Sequence, residues 1–261
     1  MLGYTHIVRL ALNPMHANAV RSIESATLAP FFARNGELPA ELADHFASFD
    51  LIISYLFDPD AILAANLGRA GAQRVIHGPA KLREDEHAAV QLAEPLRELK
   101  IPTSDFAARI TVAGTRTKRI ALHPGSGSAR KNWPVDRWVS LAALLAPRTL
   151  LIVGGEADRE PMAALRSALP ADRAEFAENL PLPDLAEAVG TCALFLGHDS
   201  GVSHIAAATG TQCVLLFGST NPRVWAPLNE NVRVIRAPEG DLTQLEVSVV
   251  AQELMRIGIS T

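Results

Sequence analysis

Along residues 119–257, short apolar runs alternate with segments of helical spacing, separated by polar turns rich in Gly, Ser, Asp and Pro. The spacing predicts strands over 119–122, 149–153, 176–180, 193–196, 213–217 and 232–235. Between and after them it predicts helices over 135–145, 158–169, 183–190, 202–209 and 245–257. Strand alternating with helix is the pattern of a parallel sheet with helices on its faces. The segment amounts to one doubly wound α/β unit of about 140 residues, an ordinary domain size.

The first hundred residues carry the same alternation less legibly. Residues 7–12 fit strand or helix, 20–24 a short strand, and 26–33 have helical spacing. Helices are expected over 40–48, 61–70 and 84–99, and buried strands over 49–54 and 74–77. Residues 100–118 contain Pro102, Gly114 and the cationic Arg116-Thr-Lys-Arg119, and read as a linker. The expected division is therefore a first α/β domain, 1–115, and a second, 116–261.

Composition narrows the function classes. The chain has 261 residues, 48% of them hydrophobic, enough for a sizeable core, and a net charge of -4 that gives no basic footprint for nucleic acid. Cys192 and Cys213 each border an apolar run and read as reduced core residues. No apolar run has transmembrane length and the start has no signal-peptide pattern, so a soluble, cytoplasmic protein is expected.

The candidate chemistry lies in polar loops that follow strands, where parallel α/β sheets bind ligands. In Phe195-Leu-Gly-His-Asp-Ser-Gly-Val-Ser-His204 the polar residues fall at the start of a small-residue helix. Asp199 and Ser200 there have the form of N-caps, and the same unpaired amides and helix dipole favour an anion such as phosphate. Gly201 and His204 complete that cluster. A second loop, Gly125-Ser-Gly-Ser128, offers close backbone approach and hydroxyls at Ser126 and Ser128 around Gly127, with Lys131 adding a point charge. Arg130 beside it reads as part of a solvated turn. A third loop, Gly154-Gly-Glu156, places an acid that can accept from a ribose or sugar hydroxyl. His123 and His198 read as structural, and Trp133 and Trp138 as packing residues. Walker, full dinucleotide, zinc-spacing and nucleophile-elbow motifs do not occur.

The segments His123-Pro-Gly-Ser-Gly-Ser-Ala-Arg-Lys-Asn-Trp-Pro-Val-Asp-Arg-Trp138 and Gly197-His-Asp-Ser-Gly-Val-Ser-His204 through Phe217-Gly-Ser-Thr-Asn-Pro222 closely resemble the heptosyltransferases of glycosyltransferase family 9. The resemblance covers about residues 49–257 and is most specific in the second domain. It implies a GT-B fold, two Rossmann-like halves facing across a cleft, and inverting, metal-independent transfer of heptose from ADP-heptose to the lipopolysaccharide core. No cofactor is implied beyond the nucleotide sugar itself. By the same resemblance Ser126, Gly127, Ser128 and Lys131 hold the donor diphosphate, Glu156 lies near the nucleoside, and Asp199, Ser200, Gly201 and His204 grip sugar and phosphates. Because such acceptors lie on the inner leaflet, a transient inner-membrane surface contact is expected.

The departure is at the front. The family opens with a strand, a Leu-Gly-Asp type loop and a helix, and that Asp is its proposed general base; Leu2-Gly-Tyr-Thr-His6 instead resembles the second strand. The first domain is therefore expected to be incomplete, through a start assigned too late, a shortened chain or natural loss. The sheet edge so exposed is expected to be covered by another chain, as an oligomer, or by residues 1–33. Asp58 or Asp60 are candidate replacement bases, with helix capping as the competing role. The alternatives to a transferase are a non-catalytic nucleotide-sugar-binding homologue and another GT-B enzyme such as a sugar-nucleotide epimerase.

Overall fold

The structure, a computed structural model, describes residues 1–12, 16–128 and 131–259, and separates into two compact units, Met1–Phe106 and Ala107–Thr261. The first unit holds two separate parallel ladders. One pairs β1 (Leu2–Gly3) with β2 (Arg21–Ser22), and the other pairs β3 (Ile52–Ser54) with β4 (Val75–His77). Its core is Leu28, Phe31, Leu42, Phe46, Leu63 and Leu67, with the Phe31 and Phe46 rings 4.9 Å apart.

Polar side chains, more than strands, tie this unit together. Residues Ala26–Phe32 form a 3-10 helix containing Pro30, which has no N–H to continue an α-helical ladder. Carbonyls of that segment and its end are taken up by Asn66, itself 2% exposed, whose Nδ2 donates to Phe31 O and Ala33 O at 2.9 Å each. The single helix expected over 84–99 is two short ones, Ala88–Leu92 and Glu94–Glu98. Pro95 lacks the N–H that would bond Gln91 O, which breaks the ladder there. The start moves to His87, whose Nδ1 accepts from Ala89 N, and buried Gln91 clamps the preceding loop through Arg83 N, Arg83 O and Glu86 O.

Among the described residues strand β3 pairs with β4 alone. The described part of residues 1–33 does not extend that ladder. It faces β3 across a cavity of about 980 Å³ whose walls include Leu2, Ile23, Phe31, Phe46, Ile53 and Tyr55. The residue 7–12 ambiguity resolves to a turn of α-helix, Thr5–Val8, followed by a 3-10 turn, Arg9–Ala11.

The second unit is one parallel sheet of β5 (Ile120–Leu122), β6 (Leu150–Gly154), β7 (Ala174–Glu178), β8 (Leu194–His198), β9 (Gln212–Phe217) and β10 (Val232–Arg236). Its spatial order is β10-β9-β8-β5-β6-β7, the doubly wound Rossmann order, which reverses between β5 and β8. The inner strands are buried on both faces, as an all-parallel sheet requires. Ile120, Leu122, Leu150, Ile152, Leu194, Leu196, Val214 and Leu216 share one core with Trp138, Leu141, Val250 and Leu254 from the covering helices. Each such side chain contributes roughly 1.5–3 kcal/mol by leaving water, so the strand ends form a rigid platform for the loops.

Residues 107–118, read from sequence as linker, lie along the second unit. Ile110 N donates to Ala208 O at 2.8 Å, Thr117 N to Thr191 O at 2.7 Å, and Ala113 N to the Glu187 carboxylate at 3.0 Å. Asn229 Nδ2 fixes Ala108 O at 2.8 Å. The strap satisfies its backbone with side chains and helix ends, partners that no local pattern announces. Asn66→Ala is expected to destabilise the first unit by about 1–3 kcal/mol, because it leaves the Phe31 carbonyl without its Asn66 partner at a buried position. Urea unfolding measures it, and a loss below about 0.5 kcal/mol would contradict the clamp.

Candidate functional site

The sheet's reversal brings the ends of β5 and β8 side by side, with His123 N donating to Leu196 O at 2.9 Å. Both polar loops quoted from the sequence emerge there. His198, the last residue of β8, is wholly buried and joins them. Its Nδ1 donates to Gly125 O at 3.0 Å, and Trp133 N donates to its Nε2 at 2.8 Å. Both ring nitrogens are satisfied in the neutral form, and burial lowers the pKa to about 4. Trp138 packs edge-on against His198 with ring centres 5.4 Å apart, and Trp133 against Trp138 at 5.2 Å. Trp133 Nε1 donates to Leu245 O at 2.8 Å. Both tryptophans are packing residues.

A second buried group ties the loop after β6 to the loop after β5. Asp158 Oδ2 accepts from Gly155 N at 2.8 Å and from His123 Nε2 at 3.3 Å, and its other oxygen, Oδ1, has no hydrogen-bond partner among the described residues. Burial works to raise its pKa, but the bonds from His123 and Gly155 outweigh burial, and the carboxyl sits below its ordinary value. The nearby Gly127 amide also favours the charge without completing a hydrogen bond to Oδ1. A Cβ on Gly125 would fall 1.7 Å from Asp158 Oδ1, so only glycine fits there, and Gly127 at φ +73° needs glycine for its backbone.

The residues singled out from sequence are placed as follows. Lys131 and Asp199, 68 residues apart, meet in an ion pair of 3.3 Å that bridges the two loops, with side chains 36% and 14% exposed. Ser126 lies in the same loop, but its Oγ donates inward, to Asn132 Oδ1 at 2.6 Å or Ser128 O at 3.0 Å. Gly127 and Ser128 are exposed on the loop, and Arg130 lies outside the described residues. Ser200 is the N-cap residue of the helix Gly201–Ala208, with extended backbone, and its side chain makes no capping bond. Its Oγ turns inward, 3.4 Å from His123 Nδ1 and 3.3 Å from Ser203 Oγ. Gly201 and His204 are exposed on the first turn. Glu156 is exposed on the loop after β6, in a 3-10 turn.

Sequence reasoning missed Asp158 and Asn132. Asp158 reads locally as an ordinary helix-start acid, and only the fold reveals that it faces His123 across 35 residues. The two candidate bases of the first unit are engaged. Asp58 Oδ2 accepts from Ala64 N at 2.9 Å at the start of helix Ile62–Arg69, and Asp60 pairs with Arg34 at 3.2 Å. Cys192 and Cys213 are buried, free thiols, with pKa values pushed by burial to about 11 and about 12. Among the described residues no cluster of His, Cys, Asp or Glu has metal-binding geometry, and no helix is long and apolar enough to cross a membrane.

A Rossmann-ordered sheet with its polar loops at the reversal, following a smaller α/β unit, is the architecture of the GT-B fold class. Solved structures share the fold. The family 9 glycosyl transferase of Veillonella parvula superposes with TM-score 0.74 at 17% identity, covering 96% of this chain and 85% of that one. The E. coli heptosyltransferase WaaC with ADP gives 0.70 at 18% identity, covering 98% and 88%. Residues 69–254 match the model of glycosyltransferase family 9 (heptosyltransferase), and the chain belongs to that family. Lipooligosaccharide heptosyltransferase 2 of Haemophilus influenzae is 33% identical over 134 residues, 48% of this chain and 38% of that protein. Lipopolysaccharide heptosyltransferase 1 of E. coli O18:K1:H7 is 29% identical over 123 residues, 47% and 38%. The matched stretch thus spans less than two fifths of these relatives' length.

His198 makes a testable pH contribution. The unfolded chain takes up a proton near pH 6.5, whereas the folded ring stays neutral down to about pH 4. Stability from this group is therefore present above pH 6.5 and lost as pH falls towards 4, by about 3 kcal/mol. Urea unfolding of wild type and His198→Gln across that range should show the extra loss in wild type only. Parallel pH dependences would refute the buried neutral ring.

Proposed function

We infer that the protein transfers a sugar from a nucleotide diphosphate sugar, with ADP-heptose as the donor, to a lipopolysaccharide core acceptor. The observation that carries this reading is the Lys131–Asp199 pair, poised between two loops at the sheet's reversal, where such sheets bind nucleotides. The relatives named above are heptosyltransferases, and solved ones carry ADP or ADP-2-deoxy-2-fluoro heptose. In the proposed step an acceptor hydroxyl oxygen bonds to the anomeric carbon as the bond from that carbon to the diphosphate breaks. The hydroxyl proton passes to a general base and the configuration inverts. Lys131 and the amides at Ser128 and Gly201 stabilise the departing diphosphate. Glu156 meets the nucleoside, and Asp199, Ser200 and His204 the sugar side. Neither a metal nor a further cofactor is part of this proposal. The reaction is placed in the cytoplasm at the inner-membrane surface, and a second copy of the chain is the partner proposed for the free edge of β3.

One observation favours a second reading, a nucleotide-sugar-binding homologue without turnover: Asp58 caps a helix and Asp60 is ion-paired, so neither stands ready as a base. Titration with ADP, UDP and GDP separates a working donor site from an inherited fold. ADP binding is expected, weakened about tenfold or more by Lys131→Ala through loss of the charge-assisted phosphate contact and also weakened by Asp199→Ala. Absence of nucleotide binding at millimolar concentration would sink both readings, and binding without ADP release from ADP-heptose in the presence of acceptor would favour the second.

A further inference from the structure

Ser200 stands where a ligand-facing hydroxyl is expected, yet its neighbours leave it little freedom. Its Oγ lies 3.4 Å from His123 Nδ1 and 3.3 Å from Ser203 Oγ. Ser203 has given its only proton to His198 O, so towards Ser200 it can only accept. The character of His123 Nδ1 is decided at the far side of the ring. There Nε2 faces Asp158 Oδ2 at 3.3 Å, with the two side chains 3% and 7% exposed. An ionised carboxylate only accepts, so it selects the tautomer with the proton on Nε2 and leaves Nδ1 a bare acceptor. Both groups against Ser200 are then acceptors. Its single proton points into the protein and its lone pairs remain for a ligand.

We propose that the buried Asp158–His123 pair sets the hydrogen-bond polarity of Ser200, making it an acceptor that reads a sugar hydroxyl and not a donor to phosphate. Phosphate oxygens are acceptors and gain nothing from such a group, whereas a sugar hydroxyl can donate to it. Asp199, a second acceptor one residue away, strengthens the same selection, while Lys131 and the loop amides remain the donors for phosphate. Ser200 is thus a specificity residue and Asp158 a positioning residue that acts through His123. The Oδ1 of Asp158, without a hydrogen-bond partner among the described residues, fits this role: the carboxylate is held for its effect on the ring through Oδ2.

The proposal rests on the donor-site reading for its ligand and on geometry alone for its tautomer, and the experiment separates the two. Long-range ¹H–¹⁵N NMR of the imidazoles in the full chain is expected to show His123 protonated on Nε2 only. Gly155 N and His123 Nε2 share the one oxygen Oδ2, so Asp158→Ala is the variant that removes the acceptor from Nε2, and the proton is then expected to populate Nδ1, where Ser200 Oγ accepts it. An imidazolium, or Nδ1–H in wild type, overturns the proposal whatever the ligand. In parallel, ADP and ADP-heptose are titrated into wild type, Ser200→Ala and Asp158→Ala. Ser200→Ala is expected to leave ADP affinity within about twofold and to weaken ADP-heptose about fivefold, the worth of one neutral hydrogen bond. Asp158→Ala should weaken ADP-heptose in the same sense with ADP unchanged. Equal weakening of both ligands by Ser200→Ala shows a phosphate contact and overturns the assignment. Failure of wild type to bind ADP removes the donor-site reading, and with it the ligand half of the proposal.

Discussion

The neutral imidazole of His198 holds the second unit's ligand-facing end together. A parallel sheet buried on both faces delivers its strand ends to one rim, but it does not fix the loops that follow. His198 does so by accepting from Trp133 N and donating to Gly125 O, which locks both ends of the loop after β5 to the end of β8. The bonds need an uncharged ring, because an imidazolium has no lone pair for the Trp133 amide. Burial against Trp138 enforces that charge state, so the apolar core and the polar loop geometry depend on one another.

Around that neutral clamp the charges are graded by depth. Asp158 is buried and held ionised by His123 and Gly155, and it orders the loops from within. Lys131 and Asp199 lie further out and only partly desolvated, at a distance where each can exchange its partner for a ligand group at modest cost. Glu156 lies outermost, on an exposed turn. The inner charges position and the outer ones remain open to exchange, a distribution that keeps the loops ordered while leaving the contact groups adaptable.

Much of the second unit was legible because its signals are local. Apolar runs of four or five residues give all six strands within two positions of those observed, the largest offset being β7, which starts and ends two residues earlier than its apolar run indicates. The Lys131 and Asp199 motifs were legible as loop chemistry, but their meeting was not, since it depends on strand order. Asp158 was hidden for the same reason: its partner His123 lies 35 residues away and its local context is that of any helix start. In the first unit the pattern failed where backbone groups are satisfied by side chains. Pro95 divided a helix that apolar spacing alone would continue, and Asn66 and Gln91, polar residues on apolar-looking segments, are among its most buried.

That contrast separates the two units physically. In the second, buried backbone is satisfied by a six-stranded ladder, so the loss of one side-chain hydrogen bond leaves the sheet intact. In the first, two-residue and three-residue ladders satisfy little, and single side chains such as Asn66 each answer for several carbonyls. Short ladders and few buried apolar contacts place a region at the low end of local stability. Opening in this chain should therefore begin in the first unit, with the loops at the β5–β8 reversal remaining ordered until the sheet itself unfolds.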